Sequence, residues 1–73
     1  MRDDDLRILH FLERNIDETI DIGLKHAVVP GRLFYYTGKI LTLNTEYLML
    51  ETDRGLKRIE LADIQEVRLH GKG

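Results

Sequence analysis

Apolar residues near the start of the chain recur at three- and four-residue intervals: Leu6, Leu9, Leu12 and Ile16, with Ile8 and Phe11 beside them. That spacing puts a wide apolar stripe on one side of a helix and predicts an α-helix over about residues 4–14. The aspartates at 3–5 suit its start, where a carboxylate caps free backbone N–H groups and meets the positive end of the helix dipole. Asn15 supplies a stop, because asparagine tolerates left-handed backbone at a helix end.

After Ile16 the period falls to two. Ile20, Ile22 and Leu24 alternate with Asp21, Gly23 and Lys25, the pattern of a half-buried strand. Val29-Pro30-Gly31-Arg32 reads as a turn, with proline fixing φ and glycine accepting the positive φ of a type II turn. Further turns fall at Asn44-Thr45-Glu46, Asp53-Arg54-Gly55 and Ala62-Asp63. They divide the remainder into strands over about 19–29, 32–44, 47–52, 56–61 and 64–70, the first with a break near His26-Ala27. Gly38 lies inside the long second strand, where glycine marks a sharp bend or a bulge. One helix and then five consecutive short strands predict a mainly β fold: a small, strongly bent five-stranded barrel with a short N-terminal helix. A generic SH3-like barrel has the same strand count and stays open as the alternative. A ferredoxin-like fold needs a second helix between strands.

Seventy-three residues make one domain. A chain this short buries only about 60% of its unfolded surface, so disulfides, a metal or a partner subunit usually add stability. There is no cysteine, and His10, His26 and His70 are scattered without ligand-like spacing. Association with further copies is the remaining source, and neither metal nor cofactor is expected. No apolar run is long enough to span a bilayer and the first residues do not read as a signal peptide, which predicts a soluble, cytoplasmic protein without membrane contact. The net charge of -2 divides unevenly, with -4 over residues 1–21 and +2 over residues 22–73, so the strand-rich part permits an anionic partner.

Two stretches carry a resemblance. Gly38-Lys-Ile-Leu-Thr-Leu-Asn44 followed by Tyr47-Leu-Met-Leu-Glu51 resembles the first motif of Sm and Sm-like proteins, the bacterial Hfq type included. Ile59-Glu-Leu-Ala-Asp-Ile-Gln-Glu-Val67 is similar to their second motif. The resemblance implies a homo-oligomeric ring of roughly five to seven subunits, the fourth strand of one pairing with the fifth of the next. The interface residues it implies are Ile59, Leu61, Val67 and Leu69. It also implies single-stranded RNA, U- or A-rich, held at the pore face by Asn44, Tyr47, Lys57 and Arg58. The chain departs from the family at Leu61-Ala62, where the Sm type carries arginine–glycine and the Hfq type a lysine–histidine pair nearby. Asn44 stands where aspartate is usual.

Each candidate has a plainer reading beside the functional one. Tyr47 either stacks on a base or opens a strand and packs on the barrel rim. Asn44 either reads a base edge or bonds its own backbone in the turn. Lys57 and Arg58 are adjacent on a strand, so their side chains point to opposite faces and only one of them can line a pore. Arg68 and His70 share a face and with Lys72 would make a weak cationic edge. Phe34 and Tyr36 lie on one face, and Tyr35 on the other is a candidate interface anchor. Neither cysteine nor serine is present and no P-loop occurs, so an enzyme is not expected. Two function classes follow: a ring that binds single-stranded RNA, or an oligomeric scaffold of Sm-like or SH3-like kind without an RNA pocket.

Overall fold

The computed structural model describes residues 3–25 and 28–71. Along them run α1 (Asp3–Arg14), β1 (Thr19–Lys25), β2 (Leu33–Leu43), β3 (Tyr47–Thr52), β4 (Gly55–Glu60), a 3-10 turn (Leu61–Asp63) and β5 (Ile64–Leu69). The five strands form one antiparallel sheet in the order β4-β3-β2-β1-β5. The sheet is not a closed barrel: among the described residues β4 and β5, at its margins, each have a single strand neighbour.

The alternation along the strands decides what is inside. Ile20 and Ile22 from β1, Ile40 from β2, Leu48 and Leu50 from β3 and Ile59 from β4 are almost wholly buried and meet in one core. The helix closes that core with Leu9 and Leu12, with Ile8 and Phe11 packed at its border, and lies against β5, the 3-10 turn and β2. Ile16 falls beyond the helix and is 46% exposed, so the apolar stripe ends one turn earlier than its spacing suggests. Asn15 ends the helix by a different device from the one expected. Its Nδ2 donates to the Phe11 carbonyl at 2.7 Å, and the left-handed residue is Asp17, at φ 73°. The side chain thus satisfies one of the carbonyls a helix end leaves open. The capping aspartates fall partly outside the described side chains.

Strand 1 is shorter than the pattern predicts. It ends at Lys25, and Val28 and Val29 belong to the bend before the turn, while the expected break at His26-Ala27 lies outside the described residues. Pro30-Gly31 makes the turn, with Gly31 at φ 77° and Arg32 N–H donating to the Val29 carbonyl at 3.3 Å. The third hairpin is tied by Thr52, whose hydroxyl donates to the Gly55 carbonyl at 2.9 Å and accepts from Arg54 N–H at 3.1 Å.

Along its length β2 changes partner. Residues 33–39 pair with β1, whereas β3 joins only from Lys39 onward. The bulge itself falls at Leu41, where the register with β3 slips between Ile40 and Thr42, and not at Gly38. Gly38 has another task. A Cβ there would overlap the Glu51 carbonyl, so the glycine lets the β3 backbone lie directly against β2.

Candidate functional site

The two turns singled out by the sequence are neighbours in space. The Leu61 N–H, opening the 3-10 turn between β4 and β5, donates to the Glu46 carbonyl in the β2–β3 turn at 2.9 Å. Asn44 organises the β2–β3 turn. Its Oδ1 accepts from Glu46 N–H at 2.8 Å and Tyr47 N–H at 2.9 Å, while its own N–H donates to the Tyr47 carbonyl at 3.0 Å. The amide oxygen is therefore spent on the backbone.

Tyr47 and Arg58 are brought together. The register pairs Tyr47 with Glu60 and Met49 with Arg58, so all four share the face of the β3–β4 hairpin turned from the core. The Arg58 guanidinium lies 3.9 Å from the Tyr47 ring centroid and its Nε donates to Glu60 Oε1 at 2.9 Å. A planar cation stacked on an aromatic face is held in one orientation, and here the carboxylate sets that orientation. Lys57 is separated from this pair. It points to the opposite side of β4, as adjacent strand positions require, and its Nζ sits 5.2 Å from the Tyr36 ring centroid. Glu60, bonded to Arg58, and Glu46, next to Tyr47 in the chain, are both exposed, so the Tyr47–Arg58 stack has carboxylates beside it.

The four expected interface residues serve the chain's own interior. Ile59 and Leu61 are buried in the core, and Val67 and Leu69 pack against it. The outer edges of β4 and β5 have no strand partner among the described residues.

A polar cluster that no local pattern announces lies further along the face of the sheet turned from the core. Asp21 sits mid-strand in β1, with Thr37 of β2 and Arg68 of β5 directly across from it. Its carboxylate is buried. Oδ1 accepts the Thr37 hydroxyl at 2.5 Å and lies 3.0 Å from His70 Nδ1, while Oδ2 accepts Arg68 Nε at 3.3 Å. The Thr37 hydroxyl holds the Asp21 pKa below its ordinary value, burial opposes, and His70 and Arg68 add to the lowering. Arg68 and His70, expected as a cationic edge, are thus engaged by one carboxylate; Lys72 lies outside the described residues. One step along, Gly23 has Tyr35 and Glu66 across from it, and the Tyr35 hydroxyl donates to Glu66 Oε2 at 2.7 Å over the bare glycine. A Cβ on Gly23 would stand 3.0 Å from the Tyr35 ring. This bond raises the Tyr35 pKa, because the phenolate could no longer donate. The Thr37 hydroxyl and the His70 imidazole both meet the same carboxylate oxygen, Asp21 Oδ1.

Among the described residues no group of histidines and carboxylates is placed to hold a metal, and no helix is long and apolar enough to cross a membrane. Comparison with protein-family models, curated proteins and solved structures gave no match.

Proposed function

We propose that the chain is a self-assembling module of the Sm-like kind, working as an oligomeric scaffold in the cytoplasm and not as an enzyme. Copies join edge to edge, β4 of one against β5 of the next, into a ring of roughly five to seven. The observation that carries this reading is the strand order, which leaves two different strands, β4 and β5, each open on one side. An open edge is a row of unsatisfied backbone donors and acceptors, and natural sheets cover or blunt it. Two unlike edges on one chain make a head-to-tail contact, which closes into a ring when the rotation per subunit allows. A short N-terminal helix packed on the core of a five-stranded antiparallel sheet supports this reading.

Sedimentation equilibrium tests it. A mass several times the 8.6 kDa of one chain is expected. A monomer at micromolar concentration would overturn the assembly.

Single-stranded RNA binding is the second reading, favoured by the Tyr47–Arg58 stack beside the two joined turns. Bases stack on aromatic rings and on guanidinium planes alike, so a base would extend an existing pile. The adjoining Glu46 and Glu60 repel phosphate, and for that reason we rank this reading behind the scaffold. Stacking on an aromatic contributes about 1–3 kcal/mol per base, so Tyr47→Ala is expected to weaken binding of oligo-U or oligo-A about ten-fold without changing the sedimentation mass. Fluorescence anisotropy at two salt concentrations measures it, and no binding by the parent protein at low salt would remove the reading.

A further inference from the structure

We infer that the cleft between the first half of β2 and the β3–β4 turn docks an extended, acidic segment of a partner protein, laid as an added strand along β2. The inference rests on the reading of the chain as an interaction module, and it names a partner for a surface apart from the β4 and β5 edges.

The cleft lies where β2 runs past its pairing with β3. Because β3 joins β2 only at Lys39, residues 33–38 of β2 have no strand on their second side among the described residues. The β3–β4 hairpin diverges there, and the gap between the two walls encloses about 610 Å³. That lies within the range of about 300–1,000 Å³ typical of ligand sites. A peptide added to an open strand gains main-chain hydrogen bonds, and its alternate side chains reach the pockets on either face.

The lining states what that peptide carries. Phe34 and Tyr36 meet edge to face, with centroids 5.2 Å apart, and form the wall on the β2 side. Leu56 stands on the opposite wall. Phe34 is 48% exposed and Leu56 61%, large apolar side chains left on both walls of one cleft. Exposed apolar surface gathered in this way marks a contact site. Lys57 reaches from the hairpin wall to the Tyr36 ring, and Arg54 and Asp53 complete the charges, two cations to one carboxylate. The surplus is one positive charge per copy. That complements a peptide with an acidic residue next to apolar ones. A nucleic-acid strand brings a negative charge with every nucleotide and asks for more cations than this cleft offers.

The experiment is selection of a random octapeptide library displayed on phage against the full chain, followed by titration of the most enriched peptide made synthetically. Enriched sequences are expected to pair acidic residues with alternating apolar or aromatic ones. Amide NMR shifts are expected to gather at residues 33–38 and 52–57. Lys57→Glu is expected to weaken the peptide about ten-fold. Leu56→Asp serves as an independent variant on an exposed position, and Tyr47→Ala is expected to leave peptide affinity unchanged. No enrichment, enrichment of basic sequences, shifts confined to β4 and β5 edges, or indifference to both cleft variants would overturn the inference. Displacement of the peptide from the same amides by oligo-U would overturn it in favour of nucleic acid. Sedimentation mass separates this outcome from the assembly reading: a monomer that binds the peptide keeps the cleft and loses the ring, and an oligomer that selects nothing does the reverse.

Discussion

Replacing Gly38 by alanine is expected to lower the stability of the domain by about 3 kcal/mol and its thermal midpoint by about 15 °C. The reason is space and not torsion, since Gly38 is absent from the residues with positive φ. An added methyl would overlap the Glu51 carbonyl and stand 3.1 Å from Leu50 Cγ. A flexible side chain could swing aside, but a peptide group held in the β2–β3 ladder cannot move without breaking the pairing of Lys39 with Glu51. A domain of this size has about 4–11 kcal/mol in total, so the loss is a large share of it. Urea unfolding of both proteins at several concentrations measures the effect, and a concentration-dependent midpoint would show that association shares in the stability. Gly31→Ala is the control: no atom lies within 4 Å of the position, so only its positive φ of 77° resists. A Gly38→Ala protein within about 0.5 kcal/mol of the parent would separate the curl of the sheet from this glycine.

Asp21→Ala is expected to cost about 1–2 kcal/mol at pH 7, in the lower part of the range for charged hydrogen bonds because Arg68 and His70 are more than half exposed and regain water when released. Its pH dependence identifies the cause. The folded-state pKa of Asp21 is depressed, led by the Thr37 hydroxyl, so the contribution is present above the unfolded carboxylate value of about 4 and is lost as pH falls through the lower folded value. The stability gap between parent and Asp21→Asn should therefore shrink below about pH 4. Urea midpoints at pH 7 and at acid pH provide the comparison. A gap of equal size at both would show that the ionised carboxylate contributes nothing.

The elements were legible because they follow from local periodicity. Leu9 and Leu12 at helical spacing and Ile20 and Ile22 at strand spacing predicted the core faces of the helix and the first strand, and the structure buries each of them. Turn chemistry was equally local: Pro30-Gly31 and Asp53-Arg54-Gly55 sit at the turns. Parity along β4 separated Lys57 from Arg58, which reach different tyrosines. The Asp21 cluster was not legible. Its partners lie 16, 47 and 49 residues away, and an aspartate alternating with isoleucines reads as an ordinary solvent-facing strand position. The one available hint was Arg68 and His70 spaced by two, which shows a shared face but not what lies opposite.

Strand number, turn positions and inward faces came from the order of apolar and polar residues alone, because each depends on neighbours within a few positions of the chain. The tertiary structure decided which strands lie side by side and therefore which edges stay open. It also decided that Tyr47 meets Arg58, that Tyr35 reaches Glu66 across a bare Gly23, and that β3 pairs with β2 only from Lys39 onward. These are distances between segments far apart in sequence, set by how a bent sheet packs around its core, and no local pattern encodes them.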